Sequence, residues 1–187
     1  MKFFKTYTGA LVVLAAVMVL SIPLGCLRSV NAQRDKVLEI FAQGAAGDGH
    51  SVSGDLQARV DVGKNLLTLA RRYPQAGVES QLSGAVAWAE ENAHPDAGAF
   101  PEADDALGEC CARAVEALRA AGVSERDEAY LRGFEAELNA AADRMRRDGY
   151  NAAAGQFNER VLGGFPASVL RGLRMVKEIP PVIAAGS

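Results

Sequence analysis

The sequence predicts an all-α protein preceded by one N-terminal transmembrane helix. Three observations lead there. Beyond residue 50, apolar residues recur three or four positions apart, the spacing of one buried helix face. The chain is rich in Ala, Leu and Gly and only 6% aromatic, which favours closely packed helices over sheets. Proline and glycine clusters interrupt the periodic segments at helix-length intervals. With 187 residues, one anchor and one domain is the natural division, and about 150 residues after the anchor suffice for one core.

The first element is the run Thr6–Leu27, 22 residues without a charge. As a helix it is long enough for a hydrocarbon core of about 30 Å. Pro23 and Gly25 fall near its far end. Two other readings of this segment stay open. Val30-Asn31-Ala32 suits cleavage of a signal peptide spanning residues 1–32, and Gly25-Cys26 would place a lipidated cysteine at the end of the run. Lys2 and Lys5 flank one side and Arg28, Arg34 and Lys36 the other. The unopposed charges at the very start favour a cytoplasmic N-terminus, with the domain outside.

Ser29–Gln43 is a short helix continuing the anchor, with Val30, Val37, Ile40 and Phe41 as its apolar members. Gly44–Gly54 contains four glycines and reads as a solvated loop. Asp55–Arg72 is a helix with Leu56, Val60, Leu66, Leu67 and Ala70 inward, and Gly63 on that face admits a close neighbour. Pro74 separates it from a helix over Gln75–Asn92, where Trp88 is expected in the core or lining a groove. After the break at His94–Gly98, Glu102–Ala121 begins with acids that suit the positive end of a helix dipole. Ser124 with Asp127 reads as an N-terminal cap. The helix that follows extends to about Leu162, with Tyr130, Phe134, Leu138, Ala141, Met145, Phe157 and Val161 on its inner face and a bend at Gly149.

Composition narrows the chemistry. The net charge is −3 with both signs interspersed, which argues against a nucleic-acid groove. Cys26, Cys110 and Cys111 are an odd set, not a disulfide framework, and two histidines without metal-ligand spacing give zinc no support. No nucleophile elbow, phosphate-binding loop or dinucleotide fingerprint occurs. No catalytic, metal or cofactor-binding residue is therefore assigned.

The most specific feature lies near the end: Tyr150-Asn151, Phe157-Asn158 and Phe165-Pro166. Seven residues is close to two turns, so Tyr150 and Phe157 share a helix face. Phe165 follows Gly163-Gly164, where such a helix would stop. The structural reading sends all three aromatics into one core, with Asn151 and Asn158 bonded to a neighbouring helix or loop. The functional reading makes the same six residues a peptide-binding groove. Pro166 would start a last short helix, Ala167–Arg174.

The stretch YNAAAGQFNERVLGGFPASVLRGL, Tyr150–Leu173, resembles the C-terminal signature of the LemA family of bacterial membrane-anchored proteins. That family pattern is Tyr-Asn, a second aromatic-Asn seven residues on, Phe-Pro, a short apolar helix and a Gly. Phe157 stands where Tyr is commoner. The match covers roughly Met145–Leu173, is looser over Asp55–Tyr73 with its Asn65-Leu66 pair, and extends to the N-terminal apolar segment. Pro74–Val123 matches by helical character alone, and the aromatic-rich sequence usual after Gly172 is absent.

The resemblance implies an elongated antiparallel helical bundle on a single anchor, here residues 29–174 and 6–27. The tail, 175–187, contains Pro180-Pro181, ends in small residues and reads as irregular. It implies no established activity, because the family's molecular role is unsettled. The function expected is a noncatalytic, membrane-tethered interaction or scaffold protein of the cell envelope. It is expected in the cell membrane as a single-pass protein, with an unidentified protein partner and no nucleic acid. Two alternatives remain: a secreted or lipidated binding protein, and a hydrolase with a scattered acidic site.

Overall fold

The computed structural model describes residues 7–45, 49–94 and 99–182. Between residues 7 and 23, side chains are described at Leu11, Leu14, Val17 and Ser21. The sequence-derived anchor, Thr6–Leu27, thus lies largely outside the residues described in full, as do Asp48 and the end of the tail, residues 183–187. Among the described residues no helix is long and apolar enough to cross a membrane.

The fold is all-α, without a strand among the described residues. Among the described residues seven α-helices follow in order: α1 Tyr7–Gln43, α2 Val52–Arg72, α3 Glu79–Glu91, α4 Phe100–Ala120, α5 Glu125–Arg147, α6 Tyr150–Gln156 and α7 Ala167–Gly172. A 3₁₀ turn, Pro74–Ala76, precedes α3, and a π turn, Phe157–Val161, follows α6. The chain divides into two compact units. The first comprises Met1–Val37 and Gly155–Ile179, the second Leu38–Ala154 and Pro180–Ser187.

In the second unit, α2 packs against α3, α4 and α5. The core joins Leu66 and Leu69 of α2, Leu82 and Val86 of α3, Leu107, Cys111, Val115 and Leu118 of α4, and Leu131 of α5. Gly63 permits this approach: a Cβ there would lie 2.8 Å from Val86 Cγ2 and 3.1 Å from Leu107 Cδ1. Local sequence sets the ends. The Gly54 amide donates to Ser51 Oγ at the start of α2, and the Asp127 amide donates to Ser124 Oγ at the start of α5. Gly44, at φ 82, closes against the His50 carbonyl, where no Cβ fits.

Several boundaries and faces differ from the sequence expectation. The helix expected over Gln75–Asn92 begins at Glu79, because Pro74 opens a 3₁₀ turn and Gly77 leaves it in the left-handed region. Trp88 is 40% exposed, not in the core. The long helix expected to run to Leu162 breaks at Asp148-Gly149, and the Asp148 carboxylate accepts from the Tyr150 amide to restart it. The buried face of α5 is Asp127, Leu131, Leu138, Ala141 and Met145, so Tyr130 is exposed and stacks on the half-buried Phe134, which packs against the core.

Candidate functional site

In the second unit the signature begins with Tyr150, whose side chain is fully buried. Its ring meets Phe41 edge-on at 5.2 Å, and Phe41 meets Phe100 in the same way at 5.8 Å. The Tyr150 hydroxyl donates to the Pro180 carbonyl at 2.8 Å. The Val182 amide donates to Asn151 Oδ1, also at 2.8 Å. The aromatic thus fills the core while its polar tip and the neighbouring Asn hold extended chain.

In the first unit the second pair repeats the arrangement. Phe157 is buried, and the Asn158 amide meets the Ile179 backbone on both sides. Asn158 Nδ2 donates to the Ile179 carbonyl at 2.7 Å, and the Ile179 amide donates to Asn158 Oδ1 at 2.9 Å. A side-chain amide here satisfies a backbone donor and acceptor that no helix serves. Among the described residues of the tail, 175–182, no regular helix forms, yet Val176, Ile179 and Val182 are buried. Sequence reasoning gave Asn151 and Asn158 a polar contact without finding the segment that receives it.

The π turn carries one more residue than an α turn: the Leu162 amide donates to the Phe157 carbonyl, five residues back. Gly163 follows it, where a Cβ would press on the Glu159 carbonyl. The extra residue turns the following segment. Phe165, expected in the core with Tyr150 and Phe157, is instead 87% exposed. Pro166 is half-buried, joined to Phe165 by a cis peptide, and it precedes α7. That helix ends at Gly172, not Arg174. The Met175 amide donates to the Leu170 carbonyl and the Arg174 amide to that of Arg171. Arg174 takes the left-handed conformation, φ 59, that glycine usually fills at such an end.

An open cleft of about 690 Å³ lies in the first unit beside this segment. Ser21, Gly25, Ser29 and Gln33 of α1 form one wall, and Arg160 and Phe165 stand on the other.

The buried polar groups of the second unit are paired. Arg59 Nε donates to Asp104 Oδ1 at 2.7 Å and Nη2 to the Asp104 carbonyl at 3.2 Å. Burial pushes the Asp104 carboxyl above its ordinary range, against the pull of the Arg59 guanidinium. Arg144 Nε donates to Asp55 Oδ1 at 2.6 Å, and Nη2 to Glu137. Asp127 accepts from the Tyr73 hydroxyl at 2.6 Å and is approached by Ser124 and Arg72. The Tyr73 bond first, then Ser124 and Arg72, hold its carboxyl below the usual range, against desolvation. Burial raises the Cys111 thiol to about 12, so it stays protonated. Among the described residues no group of His, Cys, Asp and Glu is placed to hold a metal ion.

No family model, no curated protein and no solved structure matches this chain.

Proposed function

We propose that this protein is a noncatalytic, membrane-tethered interaction or scaffold protein of the LemA type, acting in the cell envelope. The observation that carries the tether is the charge-free run Thr6–Leu27, which from Tyr7 onward falls on helix α1. Leu11, Leu14, Val17 and Leu24, four of the apolar side chains described there, point outward, while Cys26 and Leu27 are half-buried. Water would penalise such a surface, whereas hydrocarbon would not. The signature Tyr150-Asn151, Phe157-Asn158, Phe165-Pro166 supports the family, which carries an elongated antiparallel bundle on one anchor. A noncatalytic role is supported by the acids of the second unit: Asp55, Asp104 and Asp127, its buried carboxylates, are each engaged by an arginine.

Carbonate washing tests the tether: the full-length chain should stay with membranes, and release at full length overturns it. Protease added to spheroplasts should digest the domain, whereas protection would place it in the cytoplasm. Crosslinking in cells, followed by mass spectrometry, should recover a defined protein partner.

A further inference from the structure

Exposed apolar surface is distributed unevenly. Of the large apolar side chains exposed among the described residues, only Trp88 and Tyr130 belong to the second unit, and both have a polar edge. The rest lie in the first unit. Besides those on α1, they are Phe165, Val169, Leu173 and Met175. Val169 and Leu173, four residues apart, lie on one side of α7 and its C-terminal end, and Phe165 is exposed just before the helix. Phe165 is 87% exposed, a costly position in water for a phenyl ring.

The cleft fixes the height of this surface along α1. Its walls put Gly164–Ala167 beside the stretch of α1 from Ser21 to Gln33. That stretch brackets Leu27, where the charge-free run ends, and Arg28, the first charge after it. Both walls belong to one unit. If the run crosses the bilayer, Phe165 therefore stands level with the membrane boundary. The charges around it agree. Residues 155–179 carry Arg160, Arg171, Arg174 and Lys177 against Glu159 and Glu178, and Glu178 is already bonded to Arg171 at 2.9 Å. Apolar side chains among cations form the pattern of a surface lying in the headgroup region of an anionic bilayer.

We infer that the Phe165–Met175 segment is a second membrane contact: Phe165, Val169 and Leu173 enter the headgroup–acyl boundary while Arg160, Arg174 and Lys177 meet lipid phosphates. This rests on the anchor reading of Thr6–Leu27. It gives the Phe-Pro part of the signature a role different from that of its buried aromatics. The anchor would fix the chain in the bilayer, and this segment would set how the first unit lies on it.

The test uses the full-length chain in vesicles of phosphatidylcholine and phosphatidylglycerol. Trp88 is the only tryptophan, so Trp88→Phe with Phe165→Trp places a single reporter at the exposed position. The chain should float with the vesicles. The reporter should emit at shorter wavelength than in water, be quenched by lipids brominated near the headgroup end of their chains, and be shielded from aqueous iodide. Adding Arg160→Gln and Arg174→Gln should weaken the lipid quenching without releasing the chain. Flotation with a water-like, iodide-accessible reporter overturns this inference and leaves the anchor standing. A chain that does not float overturns the anchor and this inference with it.

Discussion

Replacing Arg59 by Met should destabilise the second unit more than any surface change. Arg59 and Asp104 are 8% and 9% exposed at their side chains, and the guanidinium spans the carboxylate and the Asp104 carbonyl. Gly108 makes room for it: a Cβ there would lie 2.8 Å from Arg59 Nη2. Arg59→Met leaves a carboxylate in a site that already disfavours its charge. Removing one partner of a buried pair costs about 3–5 kcal/mol. For a chain of this size that lowers Tm by roughly 6–20 °C. The double variant Arg59→Met, Asp104→Leu removes both charges and should recover most of the loss. Acid should also narrow the single variant's deficit. Without Arg59 the folded-state pKa of Asp104 rises further above its unfolded value, so the folded form binds the proton more tightly. The deficit is then full at pH values above that raised pKa and fades as pH falls through it toward the ordinary carboxylate range. Thermal unfolding followed by circular dichroism reads both variants against the parent. A single variant that melts like the parent, or a double variant no better than the single, would refute the reasoning.

Within the signature, Tyr150→Ala and Phe157→Ala should each cost about 3–5 kcal/mol, seen as a lowered melting temperature, while Phe165→Ala should leave it unchanged. A large fall for Phe165→Ala would mean that its ring is buried after all. Asn158→Ala removes both bonds to the Ile179 backbone and should cost roughly 1–3 kcal/mol, with faster proteolysis of the tail as a second readout. Gly63→Ala should destabilise by about 1–3 kcal/mol of overpacking against Val86, offset in part by about 1 kcal/mol of helix propensity. Asp127→Asn should lose stability at neutral pH. Because the native carboxyl titrates low, that deficit should be full above the ordinary carboxylate range and vanish as pH falls through the lowered folded value; a pH-independent deficit would remove Asp127 from the account.

The sequence by itself determined the helices and most of their punctuation. Period, caps and breakers act within a few residues, so the face of α2, the Ser124 cap and the interruption at Gly149 were legible locally. Gly63 was legible for the same reason, since a residue without a side chain on an apolar face leaves room for a neighbour. The tertiary structure alone decided the partners. Arg59 meets Asp104 across 45 positions, Tyr73 meets Asp127 across 54, and Asn158 meets Ile179 across 21; no local pattern carries such pairings. It also decided which way Phe165 faces. Spacing projected from Tyr150 and Phe157 assumes an unbroken helix, but one extra residue in a π turn rotates everything after it by about 100°. That rotation, together with the Gly163-Gly164 stop, separates an outward-facing Phe165 from the two aromatics that its spacing appeared to join.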